Sequence, residues 1–410
     1  MLKTALILGF TAFLIFQNDL SSFAYFTNNK KETNELLAVK KERTNLKRIE
    51  KVLLKRNAQI TNTVLLSDSG FSYDIIKLSD EANQDLVKNE LLKTGLFKIV
   101  EPNYILESDY NIVSVPSKKI IPDDESFKKQ YYLNETKVTN AWLLSIGSGN
   151  IPIAVLDSGA DYLNSDISER LLPCTSYVDN SFSCQDNFGH GTQVISIIAA
   201  KPDNGLGTAG ITWLNPILPV KISNEEGIAT VSTLISGLDH AVKSSAKIAV
   251  ISLSTEKESE ILKQAVEDAI QNGLLIISSG GNTGKEEIRY PAGYDGVIGV
   301  GSVNSKKQIS DFSNTGSHIK IVSPGEKILV PVLNQNKLEL VNGTSFSAPQ
   351  VAGIAALIWA LRPTYTNKDI EKLLLTTADD LGEPGYDTVY GYGLVNAETA
   401  IKRAILKYEK

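Results

Sequence analysis

The sequence predicts an α/β protein, a three-layer fold built on a mostly parallel sheet, preceded by a small α+β unit. Three observations carry this. From Ile151 onward, short runs rich in Val and Ile alternate with stretches of helical period. Residues 61–107 read as strand, helix and strand. Between the two lies a polar stretch, 108–125, holding Pro116, Lys118-Lys119 and Pro122, the composition of a linker.

In chain order, Lys3 precedes an apolar run from Thr4 to Phe16, and Ser22-Phe23-Ala24 follows. A basic start, a short apolar stretch and small residues two apart describe a secretory signal peptide over 1–24. The run is short for a membrane span, which disfavours the competing reading of a retained anchor. Residues 25–60, dense in Lys, Arg and Glu with scattered Leu, are expected to form a charged spacer, a solvated helix or flexible segment. Tyr73–Leu78 alternates like a strand. Ser79–Thr94 suits a helix with Leu86, Leu91 and Leu92 on its apolar side and Gly95 near its end. Phe97–Val100 and Tyr104–Leu106 return to strand character, broken by Pro102.

The large unit is expected over 126–410. Its strands are Ile151–Leu156, Ile217–Ile222, Ile248–Leu253, Leu274–Ser278, Val297–Val300 and Ile319–Val322, with helices such as Val231–Lys243 and Glu258–Gln271 between them. Strands alternating with helices imply a sheet covered on both faces, with functional groups in loops at the carboxyl ends of strands.

Composition narrows the function. With 41 Lys and Arg against 47 Asp and Glu, the net charge of −6 argues against a nucleic-acid binder, which would show a basic stripe. Cys174 and Cys184 lie ten apart in a segment rich in Asp, Ser and Asn. Behind a signal peptide they are expected to form a disulfide, the alternative being two thiols in a reducing interior. No second Cys or His pair at ligand spacing accompanies them, so zinc is not expected.

Three motifs carry the chemistry. Ala154-Val155-Leu156-Asp157-Ser158-Gly159 closes a strand on an acidic residue. Gly189-His190-Gly191-Thr192 grips one of the chain's 3 histidines between glycines, directly before the apolar helix Gln193–Ala200. Gly343-Thr344-Ser345-Phe346-Ser347-Ala348-Pro349 leads into Gln350–Leu361, apolar nearly all round and hence a buried helix. Ser345 then sits near a helix N-terminus, where free N–H groups favour negative charge. Singly, these residues also read as a turn former, a surface histidine and a helix cap.

Together, in the order Asp, His, Ser, they resemble the subtilisin-like serine proteases, the subtilase family. The matching stretches are AVLDSG, GHGTQV, SSGGN and NGTSFSAP, with agreement from about Gln130 to YGYGLVNAETA at 390–400. The resemblance implies the subtilisin-like fold and a serine endopeptidase that works through an acyl-enzyme. Ser345 would be the nucleophile, His190 the general base and Asp157 the residue orienting the imidazole. Asn282, in Ser278-Ser279-Gly280-Gly281-Asn282, would donate to the oxyanion together with the Ser345 N–H. Ser252-Leu253-Ser254 would pair with the substrate backbone, although the family most often has Gly where this chain has Ser254. Gly280, Gly281, Tyr290 and Pro291 would line the pocket for the residue before the cut bond. Arg289 at its floor would bias that pocket towards acidic or polar side chains, unless it turns outward or pairs with Glu286 or Glu287.

The resemblance further implies no cofactor for the chemistry and a structural calcium, with Gln130, Asp166, Asp203 and Asn204 as oxygen ligands. Residues 61–107, ending in VEPNY, resemble an inhibitory propeptide, with the maturation cut in 107–125. The expected partners are a polypeptide substrate and the chain's own propeptide. The expected state is a secreted monomer, with no domain beyond about residue 405 for surface anchoring. An α/β-hydrolase would need Gly-x-Ser-x-Gly and a later His, and neither is present. A catalytically silent, peptide-binding relative is the remaining alternative.

Overall fold

The computed structural model describes residues 32–41, 44–65, 72–104, 120–178, 183–335 and 337–406. The signal peptide, most of the linker and the maturation cut lie outside the described residues. The chain divides into two compact units, 1–113 and 114–410.

The first unit contains β1 (Glu32–Lys40), α1 (Leu46–Leu54), β2 (Gln59–Leu65), β3 (Ser72–Lys77), α2 (Gln84–Lys93) and β4 (Phe97–Tyr104). Its strands form an antiparallel sheet in the order β2-β3-β1-β4. The spacer expected at 25–60 is therefore corrected: from residue 32 it folds as part of this unit. Leu36 and Ala38 of β1 and Ile49 and Leu53 of α1 are core residues. The signal was obscured because α1 fully buries only the i, i+4 pair Ile49 and Leu53, while Leu46 and Leu54 are exposed among charged groups. In α2, Asn83 caps the first turn by accepting from the Leu86 N–H, so the helix starts at Gln84 rather than Ser79. Its buried side is Val87 and Leu91, while Leu86 and Leu92 are exposed. β4 runs unbroken through Pro102. It is an edge strand, where the missing N–H is tolerated.

The second unit opens with two short helices, α3 (Tyr131–Glu135) and α4 (Val138–Ala141). Then follow β5 (Ile153–Asp157), β6 (Thr175–Ser176), α5 (His190–Ala199), β7 (Ile217–Lys221), α6 (Val231–Lys243), β8 (Ile248–Ile251), α7 (Glu260–Gln271), β9 (Leu275–Ser279), β10 (Val297–Val303) and β11 (Ile319–Pro324). A hairpin of β12 (Ile328–Pro331) and β13 (Leu338–Val341) precedes α8 (Thr344–Leu361), α9 (Asn367–Thr376) and α10 (Ala397–Leu406). Residues 123–125, read from sequence as the end of the linker, belong here: Asp123 and Asp124 bond to the 203–207 loop, as does Ser126.

Seven parallel strands run in the order β11-β10-β9-β8-β5-β7-β6. Successive residues of β5 face opposite layers, as the two-residue period of a strand demands. Ile153 and Val155 pack with residues of α5, α8 and α10, whereas Ala154 and Leu156 pack with residues of α6 and α7. That produces the expected three layers. Caps start the outer helices: Thr230 and Thr233 form a capping box on α6, and Ser259 caps α7. Helix α8 is apolar and long enough to cross a membrane, but its residues Thr344–Trp359 are all buried inside the protein. It is the central core helix.

Candidate active site

The segments singled out in the sequence converge where three neighbouring strands, β9, β8 and β5, end. Asp157 is the last residue of β5 and is 1% exposed. His190 is the first residue of α5. Its Nδ1 stands 2.8 and 2.9 Å from the two carboxylate oxygens of Asp157. Gly191 allows this approach: a Cβ there would lie 2.3 Å from the Gly159 carbonyl oxygen. Burial disfavours the imidazolium, but the charge and hydrogen bond of Asp157 and the charge of Asp186 outweigh it and raise the His190 pKa.

Ser345 is the second residue of α8, and the next ring, Phe346, lies 5.6 Å from His190 centroid to centroid. The Ser345 hydroxyl donates to the Ser252 carbonyl at 3.1 Å, and the Ser252 hydroxyl donates to the Ser345 carbonyl at 3.0 Å. Pro349 explains the second bond. Four residues after Ser345, it has no N–H to give, so the Ser345 carbonyl takes its donor from outside the helix. Among the described residues the Ser345 hydroxyl has no hydrogen bond to His190. The hydroxyl is engaged by the Ser252 carbonyl instead, a looseness common in sites without substrate.

Asn282 follows β9. Its side-chain oxygen accepts from the Thr344 N–H at 2.8 Å and the Thr344 hydroxyl at 2.9 Å, while the amide N–H groups have no hydrogen bond among the described residues. Gly281, at φ +108, donates its N–H to the Thr344 hydroxyl and accepts from the Asn314 N–H. The Gly280 carbonyl accepts from Nε2 of His318, which is 3% exposed and whose Nδ1 has no partner. Leu253 and Ser254 have no backbone hydrogen bond among the described residues, as a segment open to strand addition should. Thr255 and Tyr290 pair through both backbone groups, which fixes Tyr290-Pro291 beside that segment.

Arg289 crosses Gly281: its Cγ lies 2.6 Å from where a Gly281 Cβ would stand. Its Nε donates to the Ser254 hydroxyl at 3.4 Å, and its guanidinium stands 3.6 Å from the Glu287 carboxylate. Of the orientations left open by sequence, pairing with Glu287 is the one found.

Sequence reasoning missed two organising residues. Thr344 orients the Asn282 amide. Asp186, fully buried, accepts from the Ser158 hydroxyl, the Phe188, Gly189 and Thr192 N–H groups and the Thr192 hydroxyl. The available signal was an Asp four positions before a glycine-flanked His. Cys174 and Cys184 are joined in a disulfide, as expected.

The four residues expected to hold calcium do not form a ligand set. The Gln130 oxygen accepts from the Ala209 N–H, that of Asn204 from the Leu206 N–H, and Asp166 accepts from Asn204 and Thr208. Burial pushes Asp166 up to about 6, which weakens it as an anionic ligand at mildly acidic pH. Asp203 instead joins Asp123 and Asp124, with carboxylate oxygens of the three within 4.8 Å of one another. Asp124 is 5% exposed and its Oδ1 has no hydrogen-bond partner among the described residues, so this trio fits a hard cation better.

Comparison with known proteins agrees with this geometry. The family model described as "Subtilase family" matches residues 148–393. A thermophilic serine proteinase of Bacillus sp. (strain AK1) is 30% identical over 330 residues, covering 80% of this chain and 78% of that protein. Subtilisin DY of Bacillus licheniformis is 33% identical over 255 residues, covering 61% of this chain and 90% of that protein. Among solved structures, a protease from Pseudoalteromonas arctica superposes with a TM-score of 0.64 at 26% identity, covering 69% of this chain and 99% of that one. The chain belongs to the subtilase family of serine endopeptidases.

Proposed function

We propose that the chain is a secreted endopeptidase that cleaves peptide bonds through Asp157, His190 and Ser345 and is made as a propeptide-inhibited precursor. The observation that carries this is the Asp157 carboxylate on His190 Nδ1, at the foot of the helix that presents Ser345. A proton on Nδ1, held by that carboxylate, leaves the Nε2 lone pair as the base. A serine hydroxyl is a poor nucleophile at neutral pH until such a base takes its proton as attack proceeds. The same imidazolium then returns the proton to the leaving amine. The developing oxyanion is met by the Asn282 amide and the Ser345 N–H, both fixed before reaction. The acyl-enzyme is released by water, activated by His190 in the same way.

The test is labelling of the mature protein with a fluorophosphonate probe, with Ser345→Ala as control. No labelling of the wild type would sink the triad assignment and leave a peptide-binding relative. Propeptide inhibition and secretion are supported by the folded unit at 32–104 and the apolar N-terminal run. They predict that Ser345→Ala accumulates as uncut precursor, while the wild type is recovered outside the cell with a new N-terminus within 107–125. Arg289 pairs with Glu287, which offsets its charge; the pair keeps the wall near Gly281 polar, which supports a preference for polar side chains before the cut bond, with the bias towards acidic ones weakened. A structural calcium is supported by the Asp123, Asp124 and Asp203 carboxylates, and a melting temperature unchanged by a chelator would overturn it. The polypeptide substrate itself is supported by family membership.

A further inference from the structure

We propose that Asp186 is a positioning residue for peptide hydrolysis: its carboxylate locks the turn carrying Asp157 to the start of the helix carrying His190 and keeps a second negative charge beside the imidazole. The proposal rests on the reading of His190 as the base.

Five N–H and O–H groups converge on one carboxylate that is 0% exposed, and no Lys or Arg is among them. Burying an ion without a countercharge costs several kcal/mol unless hydrogen bonds replace its water. All five donors come from two places. One is Ser158, next to Asp157, and the others lie in the 188–192 segment on both sides of His190. A helix cap needs one or two such bonds, whereas these tie together the two chain segments that must meet for catalysis.

The link is closed at both ends. Oδ1 takes the Ser158 hydroxyl at 2.9 Å, and the Ser158 oxygen in turn accepts the Gly191 N–H at 2.9 Å. Oδ2 takes the Thr192 N–H and hydroxyl at 2.9 and 2.7 Å. Thus Asp157 and His190, 33 residues apart, are held through Ser158, Asp186 and Gly191 as well as by their own bond. The segment that brings Asp186 is fastened too: Ala160 donates to the Cys184 carbonyl, Asp186 donates to the Ala160 carbonyl, and Cys184 is tied to Cys174. The charge of Asp186 also favours protonated His190, the species that forms as Ser345 attacks.

The test compares the mature enzyme with Asp186→Asn and Ser158→Ala on a chromogenic peptide, measuring kcat, KM, the acid limb of kcat/KM and the melting temperature. The other ionisable groups around this network, namely Asp157, Asp161, Lys221, Glu225 and Glu339, are kept in every variant. For Asp186→Asn the expectation is a kcat lower by roughly 10- to 100-fold with KM within about twofold. Its acid limb should move to lower pH, because a charge that favours the imidazolium is gone. Ser158→Ala should lower kcat by less, with the acid limb unmoved, because the charge stays. An Asp186→Asn enzyme that melts lower but keeps both kcat and the acid limb would overturn the proposal and leave Asp186 a structural residue. If that variant does not fold, an unchanged kcat in both Ser158→Ala and Thr192→Val overturns it instead. Full activity in His190→Ala would fail the base assignment itself, which sets that failure apart from one confined to Asp186.

Discussion

Ser252 and Ser345 exchange hydrogen bonds, each hydroxyl donating to the other's carbonyl across the junction of β8 and α8. One bond replaces what Pro349 cannot provide, and the other parks the candidate nucleophile beside the segment expected to bind substrate. In Ser252→Ala the Ser345 carbonyl is left buried without a donor, at a cost of about 1–3 kcal/mol. In the Ser252→Ala/Pro349→Ala double variant the helix supplies its own N–H to that carbonyl. Denaturant melts of the four proteins should therefore show the double variant recovering part of the single loss. Strict additivity would mean that the two residues do not share this carbonyl.

With His190 as the proposed base, the pH dependence of activity should follow its titration. Its pKa is raised, so the neutral base is lost at a higher pH than for a free imidazole, and the acid limb of kcat/KM should have its midpoint above about 6.5. Replacing Asp157 by Asn removes the main group that raises it and frees the imidazole to take the wrong tautomer. A fall in kcat of about 10⁴ is expected at neutral pH, read by initial rates.

His318 has the opposite sign. Burial, together with Lys320 and Arg289, lowers its pKa, and Nδ1 has no acceptor for a second proton. Its contribution to stability is complete above the unfolded value near 6.5 and is lost as the pH falls below it. His318→Gln keeps a donor for the Gly280 carbonyl but cannot titrate. Its melting temperature should fall less than that of the wild type between about pH 6.5 and 5, measured in parallel scans.

The disulfide closes a loop of ten residues' separation, worth about 3 kcal/mol of unfolded-chain entropy. It also anchors the segment that precedes Asp186. Reduction under non-denaturing conditions should therefore lower kcat as well as the melting temperature. A change in melting temperature alone would confine the disulfide to stability.

At the pocket, Glu287 offsets the charge of Arg289. Glu287→Gln should strengthen the preference for acidic residues before the cut bond in a peptide-library profile, and Arg289→Gly should abolish it. A wild-type profile dominated by large apolar residues would refute the assignment.

The three-layer fold and the residues at its strand ends were legible because parallel strands, buried on both faces, write uninterrupted Val and Ile runs into the sequence. Helix α6 was read to its final residue because a cap, Thr230, and an apolar face agree there. Segment 32–60 was not legible: β1 and α1 bury only a few residues each, and charge dominates the rest. The ligand set at Gln130 and Asp166 failed for another reason. Spacing shows which oxygens could meet, but not which have already been taken by a neighbouring N–H. Asp186 was missed because a single Asp in a polar loop reads as a turn residue until its five donors are seen.

The burial of α8 has a consequence for how the enzyme dies. Ser345, His190 and Asp157 are all carried by elements of the central core, so local fraying does not reach them. Inactivation by heat should coincide with cooperative unfolding of the large unit. Every molecule that unfolds then becomes food for those still folded, so survival at high temperature will depend on the unfolding rate and will shorten as enzyme concentration rises.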